Sequence, residues 1–417
     1  MLLLRINNNK KILQIISAVM KLSNLASKFF LLVILAKVSN TETVATFGLY
    51  WTLLTTSAIL IGLDVYSSTA RKILKSASNI PFQVTSHFSY VVLASILSAP
   101  LMVFIFSKNV TSENVIVFIF FLHIIFEFAN QEFSRILVPL KKPFYSSSIN
   151  FIRGSIWVPF ALVSYFYGDN YLIQTIISWL CGSILSFIFG LSFFIKSRYI
   201  TNFKFNSDWI VNSIRSCFLF FLSTLCLRLI LSLDRFLING KYTTDLVAVY
   251  IFYSTIVFSI VGLVDSGIST WNYPNLVQAI KDKDKNLYYK AMSSYLKESF
   301  YFTASIIFVL CFSLPYLFHN FFELLYYDNI MGLYMMLFGV FCYSLTMPFH
   351  YVLYGNGRDN YILLINLIGL LSMVMVFNID LFSDEFKNAS MLMVSGLSAI
   401  SILRVILFAK FHKGFMG

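Results

Sequence analysis

The chain has 417 residues, 58% of them hydrophobic and 12% charged, with a mean hydropathy of +0.77. Such values exclude a soluble globular enzyme, and at about 20 apolar residues per helical span they allow on the order of twelve spans. The formal net charge of +12 comes from Lys and Arg scattered between apolar blocks, which argues against nucleic-acid binding, and the five cysteines sit inside apolar segments without paired spacing, which argues against a disulfide framework or a metal site.

The apolar blocks run continuously for about twenty residues instead of alternating in ten-residue strands, so they predict helices and not a barrel. In chain order the predicted spans are 13–37, 44–64, 84–107, 114–138, 145–166, 171–195, 216–239, 246–268, 299–319, 331–354, 360–379 and 389–409. The stretch after MLLLRINNNKK is interrupted by Lys21 and Lys28 and lacks a small-residue cleavage pattern, so the first helix is expected to remain in place. Twenty-one Lys and Arg fall in one alternate set of connections, against only Lys37, Lys108, Lys241 and Lys387 in the other. That asymmetry predicts an all-α polytopic membrane protein with both termini cytoplasmic. The long connections around 196–215 and 269–298 are then cytoplasmic; the second, with lysines and tyrosines at helical spacing, reads either as a solvated connector or as a segment lying along the membrane surface.

Comparison of residues 1–200 with 201–417 at an offset of 200 aligns Thr43, Tyr50, Thr55, Gly62 and Leu63 with Thr243, Tyr250, Thr255, Gly262 and Leu263, with Asp64 and Asp265 following. The match joins the second span of each half and predicts two six-helix bundles, 1–200 and 201–417.

A charge at the bilayer centre costs at least about 2.5 to 3.5 kcal/mol, so the charges within the spans are the functional candidates. The basic ones are Lys21, Lys28, Arg153, Arg228, Arg235 and Arg404; the acids are Asp64, Glu127, Glu132, Asp234 and Asp265. Lys21 and Lys28 share one face of the first span, as Arg228 and Arg235 share one face of the seventh, because each pair is seven residues apart. Lys28 and Arg228 lie near the midplane, and together they point either to an anion-receiving cavity or to two separate structural ion pairs. Lys21 and Arg404 are expected to snorkel to the interface.

The fourth span carries His123, Glu127, Gln131 and Arg135 at i, i+4, i+8 and i+12, a stripe that cannot face lipid. Arg153 of the fifth span reaches a depth between Glu132 and Glu127, so an ion pair is expected there. It is either a fixed lock or a proton-controlled pair in which Glu127 or His123 takes up a proton and frees Arg153. Asp64 and Asp265 end their spans either as parts of an ion-pair gate or as interfacial caps. Asp234 and Arg235, adjacent in sequence, point apart and each needs another partner. No sequence motif of conventional catalysis is present, so no catalytic residue is expected.

Three segments, TFGLYWTLLTTSAILIGLDVYSSTARKIL, FSRILVPLKKPFYSSSINFIRGSIWV and LRLILSLDRFLING, resemble the bacterial polysaccharide flippases that export O-antigen repeat units. These belong to the superfamily of multidrug, oligosaccharidyl-lipid and polysaccharide exporters. The resemblance implies two bundles rocking about a central cleft in the bacterial inner membrane. It also implies an oligosaccharide on polyprenyl diphosphate as substrate, with a polymerase and a chain-length regulator as partners. Arg153, Asp234 and Arg235 match the motif segments, while Lys28 and Arg228 rest on spacing alone. Arg suits a diphosphate because it binds phosphate oxygens bidentately. No cofactor is implied beyond coupling to a proton or sodium gradient. The rivals are a multidrug exporter, which should offer acids where Lys28 and Arg228 lie, and a polysaccharide polymerase, which should carry a large outer loop.

Overall fold

The computed structural model describes residues 13–412 apart from 14–15, 18, 21–22, 25, 28–29, 76–78, 169, 201–205 and 322–323. Lys28 and Lys21 therefore lie outside the described residues. Ten helices are long and apolar enough to cross a membrane, and the fold is all-helical among the described residues. They fall into two compact units, Met1–Phe221 and Leu222–Gly417.

The first unit contains α1 (Thr41–Gly62), α2 (Val65–Lys75), α3 (Ile80–Asn109), α4 (Asn114–Leu137), α5 (Pro143–Phe151), a π-helical turn (Ile152–Ile156), α6 (Trp157–Ser164) and α7 (Tyr171–Lys196). Helix α8 (Ser207–Ile230) carries the chain into the second unit. Local chemistry sets the starts. The Asn40 side chain accepts from the Thr43 N–H at 2.9 Å, that of Asn170 accepts from the Ile173 N–H at 3.1 Å, and Pro143 opens α5, where its missing N–H is harmless. Helix α1 is buried nearly all round, from Val44 to Ile61, whereas α3 turns Ile96, Leu97, Leu101 and Phe104 outward. An apolar outward face beside a buried polar interior is the inverse of a soluble fold and suits lipid.

In the first unit two predicted spans are interrupted. The second stops at Leu63 and Asp64, consecutive left-handed residues with φ of 43° and 55°, and the chain resumes as α2 inside the predicted connection. Each such residue costs roughly 1–2 kcal/mol, so packing must hold the break in place. The fifth span holds the π-helical turn at Arg153, which splits it into helices of 9 and 8 residues. A π turn inserts one extra residue into the ladder and re-aims the side chains around it.

The second unit contains α9 (Leu233–Lys241), α10 (Thr244–Val264), a second π-helical turn (Asp265–Ser269), α11 (Thr270–Lys281), α12 (Lys285–Phe321), α13 (Leu324–Asp328), α14 (Ile330–Leu345), α15 (Met347–Gly355), α16 (Asp359–Phe377) and α17 (Glu385–His412). Helix α17 packs on α14 and α16, at contacts where Gly332 meets the Phe386 ring and Gly369 faces Ile400 and the Gly396 carbonyl. The seventh span, expected to be continuous over 216–239, is broken between Ile230 and Leu233. Arg228 and Arg235 thus stand on two helices, and their seven-residue spacing no longer places them on one face.

The 269–298 connection is helical over most of its length. It is a helical hairpin continuing α10 and α12, turned at Lys283 with φ of 53°. Leu276, Ala279, Tyr288, Met292, Tyr295 and Val352 give it a hydrophobic core, leaving Lys281, Lys283, Lys285 and Lys290 exposed. Similarly, helix α8 begins at Ser207, inside the predicted 196–215 connection.

Candidate functional site

The polar stripe of α4 faces inward and nucleates two buried networks in the first unit. In one, an Arg153 Nη1 lies 3.3 Å from Glu127 Oε1, with side-chain exposures of 18% and 7%, and an Arg153 Nη2 donates to Asn150 Oδ1 at 3.1 Å. Ser183 of α7 donates to Glu127 Oε2 at 3.3 Å and lies 3.1 Å from His123 Nε2, while His123 Nδ1 is 2.8 Å from the Tyr50 hydroxyl of α1. The expected ion pair between α4 and the fifth span is thus present, and it involves Glu127 and not Glu132. Trp179 closes the network from one side, 4.7 Å from the His123 ring and stacked on Trp157 at 5.4 Å.

The π turn explains how Arg153 is presented. Gly154 beside it lies so close to the first span that a Cβ there would overlap Asn24 Oδ1, itself buried without a hydrogen-bond partner. Only glycine permits this approach.

The second network centres on Glu132, which is 1% exposed. Its Oε2 lies 2.9 Å from His87 Nε2 and its Oε1 accepts from Arg135 at 3.0 Å, while Thr69 holds His87 Nδ1 at 3.0 Å. Arg135 lies 4.8 Å from the Tyr66 ring centroid. Asp64 is 6% exposed with Oδ2 buried. His87 escaped the sequence reading, although a lone histidine within the apolar 84–107 block was a signal for a buried partner.

In the second unit Asp234 is fully buried and accepts from the Tyr250 hydroxyl at 2.6 Å and from the Arg235 backbone N–H at 2.9 Å. The Arg235 guanidinium lies 5.8 Å from the Phe258 ring, and Arg228 sits, partly buried, in the last turn of α8. Asp265 opens the second π turn and is exposed. Tyr50 and Tyr250, aligned by the offset of 200, are both fully buried and both end on a polar partner.

Arg404 does not snorkel. It is 1% exposed, its guanidinium carbon is 4.5 Å from the Tyr343 ring, and among the described residues it hydrogen-bonds to Thr346 Oγ1 at 3.5 Å and Met347 Sδ at 3.6 Å. Among the described residues no carboxylate lies within ion-pair distance of it. Counting residues from the helix end placed it near the interface, but α14 and α15 cover it. No group of three His, Cys, Asp or Glu side chains among the described residues is arranged to hold a metal ion.

No family model matches the chain, and no curated protein matches it in sequence. By structure it is similar to the lipid II flippase MurJ in an inward closed conformation, with a TM-score of 0.75, 17% identity and coverage of 96% of this chain and 89% of that one. It is similar also to an inward-facing multidrug resistance MATE family transporter, with a TM-score of 0.72, 13% identity and 95% coverage of each chain. A MOP superfamily transporter from Pyrococcus furiosus, whose binding pocket is described as having reverse polarity, matches with a TM-score of 0.64 and 13% identity over 96% of this chain and 94% of that one. Over nearly its whole length the chain therefore shares the fold of these solved structures, with ten helices long and apolar enough to cross a membrane among the described residues.

Proposed function

We propose that the protein is a flippase that moves an oligosaccharide on polyprenyl diphosphate, an O-antigen repeat unit or a similar polysaccharide unit, from the cytoplasmic to the outer leaflet of a bacterial inner membrane. The observation that carries this reading is the charge balance of the spans. Glu127 is occupied by Arg153, Glu132 by His87 and Arg135, and Asp234 by Tyr250, while Arg404 is a buried cation surrounded by neutral groups. Three of the five span carboxylates, Glu127, Glu132 and Asp234, are engaged in this way, which favours an anionic cargo over the organic cations of a drug exporter. The likeness to MurJ supports a lipid-linked glycan as the class of cargo.

In this reading the chain crosses the membrane twelve times with both termini cytoplasmic, as two six-helix bundles of residues 1–200 and 201–417. Lys28, Arg153, Arg228 and Arg235 bind the diphosphate. Protonation of Glu127 or His123 releases Arg153, with Glu132, Asp64, Asp234 and Asp265 setting the coupling and the gate. A polymerase and a chain-length regulator act on the exported unit.

Deleting the gene and analysing both surface glycan and lipid-linked intermediates tests the reading. Loss of surface glycan with single repeat units trapped on the inner-leaflet lipid is the expected result. Unpolymerised single units at the surface would instead identify a polymerase, and unchanged glycan with altered drug sensitivity would identify a drug exporter. Arg228→Ala should abolish export while the protein remains in the membrane.

A further inference from the structure

A groove of about 690 Å³ runs along α12, lined by Ile268 of the second π turn and by Lys297, Glu298, Tyr301, Phe302, Ser305, Ile306, Val309 and Leu310. Its size falls within the about 300–1,000 Å³ of sites that hold small molecules. From Lys297 to Leu310 the helix rises about 20 Å, a little more than the roughly 15 Å of hydrocarbon in one leaflet. Beyond residue 298 its walls are almost wholly apolar, and Tyr301 and Val309 are 67% and 61% exposed. A groove of this length and character fits a hydrocarbon chain lying parallel to the helix.

Both charges of the groove lie at one end, where the apolar block of α12 begins at residue 299. They are of opposite sign. Lys297 is exposed and has no carboxylate within ion-pair distance among the described residues. Exposed Glu298 is held in place by Asn272 Nδ2, which donates to Oε2 at 2.6 Å, and by Ser294, which donates to Oε1 at 2.7 Å. Each carboxylate oxygen keeps a second lone pair for another donor. A diphosphate would meet the Glu298 carboxylate with like-charge repulsion, whereas a headgroup carrying a phosphate and a primary ammonium complements both side chains.

We propose that this groove seats a phosphatidylethanolamine molecule, with its phosphate on Lys297, its ammonium on Glu298 and one acyl chain along Phe302, Ile306 and Leu310. None of the residues assigned above to the cargo lines this groove, so the proposal does not depend on what the protein transports. A lipid held there rests against Ile268 and so loads the π turn at Asp265–Ser269.

The test is native mass spectrometry of the full chain in mild detergent, titrated with phosphatidylethanolamine, phosphatidylglycerol or polyprenyl phosphate, with thermal melting as the control for folding. Phosphatidylethanolamine should bind about fivefold more tightly than phosphatidylglycerol, the size of one exposed charge contact. Glu298→Gln should erase that preference, and Lys297→Met should weaken both phospholipids. Ser305→Trp and Val309→Trp, which fill the groove from exposed positions, should remove the bound lipid. Equal or tighter binding of phosphatidylglycerol or polyprenyl phosphate would overturn the headgroup assignment. Undiminished binding to melting-competent Trp variants would overturn the groove itself. Should those variants fail to fold, the conservative Lys297 and Glu298 variants still decide the matter.

Discussion

Removing either partner of the Arg153–Glu127 pair should destabilise the first unit, and removing both should restore part of the loss. Stripping one member from a buried pair typically costs about 3–5 kcal/mol because it strands a charge away from water. Arg153 is 18% exposed and retains Asn150, so water relieves part of that cost and Glu127→Gln should destabilise by about 2 kcal/mol. Glu127 is more enclosed, at 7%, and would keep only Ser183 as a donor, so Arg153→Gln should cost about 3 kcal/mol. The double variant carries no stranded charge. Its loss should fall short of the sum by at least about 1 kcal/mol, a coupling expected only between touching groups. Denaturant or thermal unfolding of the purified chain in detergent measures each term. Additivity of the two losses to within about 0.5 kcal/mol would refute the pairing. Arg153→Lys adds a functional arm: it keeps a charge for Glu127 but loses bidentate phosphate binding, so export should fall more than stability does.

Three further outcomes follow from the geometry. Arg404→Met removes a buried cation that has no carboxylate within ion-pair distance among the described residues, so stability should hold or rise while export falls; a melting temperature lowered by many degrees with export intact would show a purely structural role. Gly154→Ala should destabilise by about 1–3 kcal/mol through overlap with Asn24, and Gly154→Ala combined with Asn24→Gly should recover most of it, as read by melting of both variants. His87→Leu deprives Glu132 of one of its two basic partners and should cost about 1–3 kcal/mol in unfolding experiments, whereas His87→Gln, able to donate to the carboxylate, should cost less.

The sequence exposed those parts of the molecule that depend on the cost of desolvation. Apolar blocks locate the span-length helices, and the rule that charges avoid lipid turns His123, Glu127 and Arg135 inward and brings Arg153 to Glu127. Hydropathy is blind to the hydrogen-bond register of a helix. Neither π turn, nor the break between Ile230 and Leu233, nor the left-handed pair at Leu63 and Asp64, changes how apolar the segment is. Depth along a single helix does not fix burial either, as at Arg404, because burial depends on what neighbouring helices cover. The Glu132 network draws on α2, α3 and α4 together, and no spacing rule within one helix links Thr69 to His87.

Helix α12 has 37 residues and so extends about 56 Å, nearly twice the roughly 30 Å of bilayer hydrocarbon. Its surplus, with α11, forms the hairpin that carries its own apolar core, and that core makes the projection stiff. The hairpin is therefore a lever. A tilt of about 10° at the membrane end sweeps its tip, some 25 Å away, through about 4 Å. A spin label or fluorophore at the exposed Lys283 would thus convert an angular change buried in the bilayer into a displacement readable in water.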